Sequence, residues 1–287
     1  MSKTVVISGC SSGIGYASVL GVLASGYRVI ATVRTQEDAA RLLADVKQTL
    51  QQSVEFDVVI MDLADSESVA TAASEVLALT DGDIYALFNN AAYGQPGAVE
   101  DLTRETLSKQ FETNLFGTHQ ITTLLLPALL KQESARIIQN SSILGFIGMP
   151  MRGAYVASKF ALEGLSATLR MELSETSVRV SIIEPGPIVS KFRENALAAL
   201  RQNINFSTSR HAWRYEAAVK RLSKAGPTSK DTLGPEAVVE KLLHALSAKR
   251  PRNRYYVTRP TYIMAFLTRI LPSRYTDRIL LAAAKAE

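Results

Sequence analysis

Cysteine is nearly absent from the sequence, since Cys10 is the single one among 287 residues. A lone cysteine excludes an internal disulfide framework and is typical of a reducing compartment. Hydrophobic residues, at 47% of the chain, are instead numerous enough to build a full core. We therefore expect a cytoplasmic protein without disulfide bonds.

Long apolar runs are also missing. The run LLLPALL is interrupted by Pro127 and flanked by polar residues, whereas a membrane-spanning helix needs about 18 or more consecutive apolar residues. The apolar run in the opening MSKTVVISGC is too short for a signal sequence. We expect no transmembrane segment.

Neither charge nor histidine indicates a nucleic-acid or metal partner. The 32 basic and 27 acidic residues leave a net charge of +5, and the basic residues concentrate only mildly, between Lys249 and Arg278. This distribution favours acidic ligands such as phosphates over a nucleic-acid surface. His119 and His211 have no second His or Cys at ligand spacing, so we predict no bound metal.

Short β-branched runs alternate with longer helical patterns. The strand segments are TVVIS, YRVIATV, VEFDVVIMD, DIYALFNN, ARIIQNS and VRVSIIEPG, with RYYVT as a seventh, and the helical patterns lie near 14–25, 36–51, 66–79, 103–131 and 151–175. Nearly continuous apolar strands are typical of a sheet covered on both faces. The alternation predicts an α/β fold of the Rossmann type, a doubly wound parallel sheet of about seven strands with helices on both faces.

No linker rich in Pro, Gly or Ser divides the chain, so we expect a single domain over residues 1–287. The alternation stops after Gly186. Residues of about 188–230 are polar and helical in character, and we predict that they form a lid over the substrate. Residues of about 259–287 have apolar positions at helical spacing and are predicted to form a C-terminal extension.

The segment VVISGCSSGIG places Gly9, Gly13 and Gly15 where the first strand becomes the first helix. Glycines let the backbone turn sharply and approach a pyrophosphate, which the free amides and the dipole of the following helix attract. The spacing differs from the Gly-x-Gly-x-x-Gly pattern of many dinucleotide-binding proteins. Its placement between strand and helix nevertheless favours a nucleotide site over a turn without a ligand.

Tyr155 and Lys159, in GAYVASKFALEG, are four residues apart in a helical pattern. Such residues share a face and lie roughly 6 Å apart along the helix axis. A nearby ammonium favours the phenolate, so we expect Lys159 to lower the pKa of Tyr155 from its ordinary value of about 10. The pair therefore indicates acid–base chemistry.

Five segments resemble the short-chain dehydrogenase/reductase family: SGCSSGIG, MDLAD, NNAA, TNLFG, and Ser142 with Tyr155 and Lys159. The resemblance runs from Thr4 to about Gly186. The GCSSGIG loop, EPGPI and LGPEAVV are most similar to the hydroxysteroid, retinol and aldehyde reductases of this family. Membership implies a nicotinamide cofactor and a homo-oligomer, a dimer or a tetramer, that packs through the helices near 103–131 and 151–175.

The resemblance also assigns the catalytic roles. It implies that Tyr155 is the general acid and that Lys159 both lowers its pKa and holds the nicotinamide ribose. Ser142 matches the position that binds the substrate oxygen, with Ser141 as the alternative register. Asn114, in TNLFG, matches the residue that holds a water linking Lys159 to solvent.

Arg34 follows the second strand, where an acidic residue would bind both ribose hydroxyls of NAD. A guanidinium is suited to a 2′-phosphate, so we predict NADP(H), while Glu37 and Asp38 nearby keep NAD(H) as the alternative. The resemblance implies that Ser12 contacts the same phosphate. It also implies that Asp62 meets the adenine amino group.

Further cofactor contacts are implied at the ends of the other strands. Asn90 and Ala91 match the small and amide residues that line the cofactor, although Ala92 stands where the family pattern has Gly. The remaining implied contacts are Ser11, Ile14, Leu63, Pro185, Gly186, Ile188 and Ser190.

The leading hypothesis is an NADP(H)-dependent oxidoreductase that acts on a small hydrophobic aldehyde or ketone, or on the matching alcohol. A hydroxysteroid or retinol dehydrogenase is the alternative within the same class of enzyme. A nucleotide-binding sensor without catalysis is a further alternative, although such proteins usually lose the Tyr or the Lys.

Overall fold

A computed structural model describes residues 2–50, 54–224, 226 and 229–286, and its centre is a seven-stranded sheet. The strands are β1 Thr4–Ile7, β2 Arg28–Val33, β3 Phe56–Ile60, β4 Ala86–Asn89, β5 Ala135–Asn140, β6 Val178–Glu184 and β7 Arg254–Tyr256. Their order is β3-β2-β1-β4-β5-β6-β7, and every neighbouring pair is parallel. The predicted fold class is confirmed.

Eleven α-helices lie within the described residues. They are α1 Gly13–Ala24, α2 Gln36–Leu50, α3 Ser66–Thr80, α4 Arg104–Phe111, α5 Thr118–Leu130, α6 Gly153–Glu172, α7 Phe192–Asn203, α8 Ala212–Leu222, α9 Glu236–Ser247, α10 Arg259–Ile270 and α11 Ser273–Ala286. None of these helices combines the length and the apolar character that crossing a membrane requires.

The helices cover both faces of the sheet. Helices α1, α2 and α9 pack with Val5 and Ile7 on one face, and helices α3 and α5 pack with Val6 and Leu87 on the other. Every residue of β1, β4 and β5 is buried, because neither side chain direction faces water. This burial explains the continuous apolar runs in the sequence.

The order of the strands also positions the functional site. The chain moves outward from β1 through β2 to β3, and then outward on the other side from β4 to β7. A crevice forms where these directions diverge, beyond the carboxyl ends of β1 and β4, and ligands of open α/β sheets bind in this crevice.

The predicted lid contains α7 and α8, whose apolar side chains form a cluster with Ala98. The Tyr215 hydroxyl donates a hydrogen bond to Asp101 Oδ2 at 2.7 Å and accepts one from the backbone amide of Ala98 at 2.9 Å. These bonds attach the lid to the segment after β4. Residues 225, 227 and 228 of the predicted lid lie outside the described residues.

The predicted C-terminal extension contains α10 and α11. Met264 and Leu280 from these helices pack with Leu144 and Ile147, in a cluster that also contacts Tyr155. The extension therefore forms one wall of the region around Tyr155.

The helix predicted near 103–131 is present over residues 104–130, but it is not a regular α-helix throughout. Residues Glu112–Gly117 form a π-helical turn between α4 and α5. At its end, a Cβ on Gly117 would lie 2.0 Å from the backbone oxygen of Leu63, so the helix packs closely against the loop after β3. The wide turn adds a residue that apolar periodicity does not reveal, and such turns are frequent at functional sites.

Replacing Gly117 by Ala tests this close packing. Ala is normally favoured over Gly in a helix by about 0.5–1 kcal/mol, but here the added methyl group would overlap Leu63. We expect Gly117→Ala to lower the free energy of unfolding by about 1–3 kcal/mol, as measured by chemical denaturation.

Gly164 is the matched control, because it lies exposed in α6 with nothing within 4 Å of an added Cβ. We expect Gly164→Ala to leave the stability unchanged or to raise it. Equal effects of the two substitutions would contradict the packing.

Candidate active site

The loop after β1 requires glycine at two positions. Gly9 has a φ of +72°, and a Cβ there would lie 2.7 Å from Ala91. A Cβ on Gly15 would lie 2.1 Å from the backbone oxygen of Gly9. The loop therefore folds back on itself and against the end of β4 without room for side chains.

Helix α1 begins at Gly13 and directs its first amides out of this loop. Ser12, at the N-cap, makes no side-chain capping bond, and the first turn contains no acidic residue. A Cβ on Gly13 would come within 2.9 Å of Ser190 Cβ, so the segment after β6 faces the loop. The backbone amides of the first turn of α1, next to a loop of glycines without side chains, are suited to bind the pyrophosphate of a dinucleotide.

Asn90 connects three strand ends beside this loop. Its Nδ2 donates to the backbone oxygens of Ser8 at 2.9 Å and Gly9 at 3.2 Å, and its Oδ1 accepts from Asn140 Nδ2 at 2.9 Å. The carboxyl ends of β1, β4 and β5 are thus held together. Ala92 is absent from the non-glycine residues with positive φ in the described chain, so alanine fits there without backbone strain.

Tyr155 and Lys159 lie in the first two turns of α6 and point toward the same region. Lys159 Nζ is 5.8 Å from the centroid of the Tyr155 ring. The lysine is only 2% exposed, and its ammonium donates to the backbone oxygen of Asn140 at 2.7 Å. The shared face predicted from their spacing is present.

The Ser142 hydroxyl lies close enough to Tyr155 to lower its pKa. It accepts a hydrogen bond from the backbone amide of Leu144 at 3.1 Å and donates one to the backbone oxygen of Pro185 at 3.5 Å. Ser141 instead lies beside Glu163. Of the two registers, the structure therefore brings Ser142 to Tyr155.

Asn114 lies in the π-helical turn and is buried. Its Nδ2 donates to the backbone oxygen of Tyr93 at 2.9 Å and to Ser158 Oγ at 3.2 Å, and its Oδ1 accepts from the Tyr93 amide at 3.1 Å. The side chain thus joins the segment after β4 to α6, next to Lys159.

Desolvation controls the ionisation of the central pair. It raises the pKa of Tyr155 to about 12, against the opposing effects of the Ser142 hydrogen bond and the charge of Arg152. Desolvation also lowers the pKa of Lys159 to about 8, while the charge of Glu163 acts in the opposite direction. The expected lowering of the Tyr155 pKa by Lys159 is not present, because the groups that lower this pKa are Ser142 and Arg152, and desolvation outweighs them.

The segment after β6 crosses the carboxyl edge of the sheet. The backbone oxygen of Pro185 accepts from the amide of Ile143 at 2.8 Å, and a Cβ on Gly186 would lie 2.0 Å from Thr258 Oγ1. Ile188 forms an isolated parallel bridge with Leu233. These contacts hold the segment between Ser142 and the start of α10.

The side chains after β2 differ in their partners. Arg34 is exposed and makes no hydrogen bond or ion pair with the described residues. Asp38 forms an ion pair with Arg41, whose Nη2 donates to the backbone oxygen of Ser11 at 3.5 Å. A second guanidinium thus lies at the glycine loop.

The residues after β3 have structural contacts of their own. Asp62 Oδ1 accepts from the backbone amide of Ala64 at 3.0 Å, and Leu63 is buried against the π-helical turn. Asp62 lies at the carboxyl edge, half-buried.

Three further parts complete the site: Phe192, which the sequence indicates as one of the lid aromatics that could wall an apolar pocket, and Arg41 and the Glu163–Arg254 pair, which were not assigned from the sequence. Phe192, the first residue of α7, places its ring edge-on to Tyr155 with 5.2 Å between the centroids. Arg41 could have been identified as the ion-pair partner of Asp38, because the two residues are three apart in a predicted helix. The contacts of Glu163 with Arg254 join distant segments and leave no local signal.

The fold and these side chains define an oxidoreductase of the short-chain type. A model of the short chain dehydrogenase family matches residues 3–201, and the chain belongs to this family. The resemblance found in the sequence is confirmed.

Two relatives and one solved structure illustrate the similarity. YbbO, an oxidoreductase of Escherichia coli (strain K12), is 42% identical over 98% of this chain and 94% of its own length. Human 17-beta-hydroxysteroid dehydrogenase type 1 is 31% identical over 90% of this chain and 78% of its own. A short-chain dehydrogenase/reductase from Burkholderia phymatum, solved in complex with NAD, has a TM-score of 0.77 at 23% identity and covers 93% of this chain and 92% of its own. The last likeness concerns the fold alone.

Proposed function

We propose that the protein is an NADP(H)-dependent oxidoreductase that transfers a hydride between nicotinamide and a hydrophobic aldehyde or ketone, or the matching alcohol. The observation that carries the proposal is the placement of Ser142 and of the buried Lys159 beside Tyr155. These groups lie at the same edge of the sheet as the glycine loop, so a carbonyl bound between the two hydroxyls would face the cofactor crevice.

Each of these side chains has a task in the reduction of a carbonyl. Reduced nicotinamide, when bound, supplies the hydride to the carbonyl carbon. As negative charge develops on the oxygen, the Tyr155 phenol donates its proton and the Ser142 hydroxyl donates a hydrogen bond. The Lys159 ammonium stabilises the phenolate that remains. Asn114 is proposed to hold the water through which the proton returns.

The preference for NADP(H) is supported by the side chains after β2. Arg34 has no protein partner among the described residues and is available to a 2′-phosphate. Asp38, which would bind the ribose hydroxyls of NAD(H), is already paired with Arg41. A planar guanidinium binds phosphate oxygens with two parallel hydrogen bonds, whereas a carboxylate repels them.

A hydrophobic substrate is supported by the surroundings of Tyr155. Phe192 covers its ring from the lid, and Leu144 and Met264 pack in the cluster on its other side. Apolar walls with a few polar groups at one end are typical of sites for apolar ligands.

Two alternatives predict different substrates. The 31% identity to the human steroid enzyme favours a hydroxysteroid or retinol dehydrogenase, which would use steroid ketones or retinal faster than aliphatic aldehydes. A non-catalytic sensor would bind NADP(H) without reducing any carbonyl, and it would not need the Tyr155–Lys159 pair.

We propose a homo-oligomer whose subunits pack through the two helical regions near 103–131 and 151–175, as expected from the sequence. Phe116, Phe160, Leu165 and Met171 expose between 45% and 64% of their surface there, and such apolar faces commonly mark subunit interfaces. The cytoplasmic location remains a prediction from the single cysteine.

Removing the Tyr155 hydroxyl tests the proposed acid. We expect Tyr155→Phe to lower kcat by about 10²–10⁴-fold, because no other group would donate the proton, while the Kd for NADPH changes little. The measurements are NADPH oxidation and NADPH fluorescence titration. Tyr275→Phe, at an exposed position in α11, is the matched control, and full activity in Tyr155→Phe would contradict the role.

Removing the Arg34 guanidinium tests the choice of cofactor. We expect Arg34→Leu to raise KM for NADPH by about 10- to 100-fold and to leave KM for NADH unchanged, because only NADPH carries the 2′-phosphate. Arg179→Leu is the control, since Arg179 is exposed at the amino end of β6, opposite the crevice. A parallel change in both cofactors would disprove the assignment.

Removing the Phe192 ring tests the proposed substrate wall. We expect Phe192→Ala to raise kcat/KM for bulky ring ketones relative to straight-chain aldehydes by about 10-fold, because the space beside Tyr155 becomes larger. Trp213→Ala, which removes an exposed lid aromatic, should leave this ratio unchanged. An unchanged ratio in Phe192→Ala would place the substrate elsewhere.

A further inference from the structure

A cluster of charged side chains lies behind the Tyr155–Lys159 pair. It consists of Lys159 and Glu163 on α6, Glu184 at the end of β6 and Arg254 at the start of β7. Arg254 Nη1 is 2.9 Å from Glu163 Oε2 and also forms an ion pair with Glu184 Oε1. Glu163 is 6% exposed and Glu184 is fully buried. The reaction described above assigns no task to these two carboxylates or to Arg254.

The position of Glu163 follows from that of Lys159. The two residues are four apart in α6, so their side chains share one face, a turn apart. A buried ammonium needs compensation from hydrogen bonds and opposite charge, and the hydrogen bond of Lys159 goes to the neutral backbone oxygen of Asn140. Glu163 is the carboxylate whose charge acts on this ammonium.

Space for the Glu163 carboxylate is provided by Gly145. A Cβ on Gly145 would lie 3.0 Å from Glu163 Oε1 and 2.6 Å from Ser141 Oγ. Arg254 Nη1 forms an ion pair with the other carboxylate oxygen. The carboxylate is therefore confined between β7, α6 and the turn after β5.

Other titratable groups face the cluster from the surrounding elements. Tyr256 on β7 acts on Arg254, and Arg269 on α10 acts on Glu184. Desolvation raises the pKa of both carboxyls, that of Glu184 to about 8, whereas Ser141, Arg254 and Lys159 all favour the charged form of Glu163. The charged groups around Glu163 therefore oppose the effect of burial on this carboxyl, and among them is the Lys159 ammonium.

We propose that Glu163 is a positioning residue that keeps the Lys159 ammonium protonated and oriented beside Tyr155, and that Arg254 fixes the Glu163 carboxylate for this task. The inference rests on the proposed function, in which the charged Lys159 stabilises the Tyr155 phenolate. The reaction then depends on Glu163 of α6 and Arg254 of β7 in addition to the catalytic residues.

Titration of Lys159 tests the proposal without turnover. In protein labelled with carbon-13 at lysine Cε, Lys159→Arg identifies the Lys159 resonance. We expect it to titrate near pH 8 in the parent protein and about 1 pH unit lower in Glu163→Gln, since the compensating charge is gone. An unchanged pKa of Lys159 would overturn the proposal.

Two further variants separate this effect from a structural one. Glu172→Gln, at the exposed end of α6, is the matched control and should leave the Lys159 titration unchanged. Glu163→Asp keeps the charge on a shorter side chain and should titrate between the parent and Glu163→Gln. If Glu163→Gln does not fold, the shift in Glu163→Asp decides, and its absence would overturn the proposal.

The pH profile then connects positioning with reaction. We expect the alkaline limb of kcat/KM for carbonyl reduction to move to lower pH in Glu163→Gln, in step with the Lys159 titration. A shifted titration with an unmoved limb would show that the positioning does not serve the reaction. A parent protein without turnover on any carbonyl would instead contradict the proposed function, while the titration would still decide whether Glu163 controls Lys159.

Discussion

The hydrogen-bonded chain from Lys159 to the glycine loop is the interaction on which the site depends. Lys159 donates to the backbone oxygen of Asn140, the Asn140 side chain donates to Asn90, and Asn90 donates to Gly9. The chain crosses the carboxyl ends of β5, β4 and β1. A displacement of any strand would therefore change the geometry of both the proposed proton donor and the nucleotide loop. Rigid strands thus position residues from four distant segments.

Much of the fold was predictable from the sequence, because strands buried on both faces must be apolar throughout and the helices between them have a different period. The common direction of Tyr155 and Lys159 followed from their spacing alone. The π-helical turn was not predictable, since one added residue leaves no periodic signal. The direction of the Tyr155 pKa was predicted wrongly, because its burial depends on how the turn after β5 and the C-terminal helices pack.

The proposed chemistry combines a buried cation with a neutral phenol. Burial disfavours both the phenolate and the ammonium, so the protein alone keeps Tyr155 protonated and ready to donate, and it makes the charge of Lys159 dependent on neighbouring carboxylates. Apolar packing around Tyr155 and the Glu163–Arg254 pair behind Lys159 are therefore parts of one arrangement. The lid ring of Phe192 completes it by covering the phenol.

The central claim is that this arrangement reduces hydrophobic carbonyls with NADPH. Steady-state oxidation of NADPH and of NADH by the purified protein, against medium-chain aldehydes, retinal and steroid ketones, tests it most directly. The account predicts turnover of at least one of these carbonyls, with a higher kcat/KM for NADPH than for NADH. Tight NADPH binding without oxidation in the presence of any of them would contradict it.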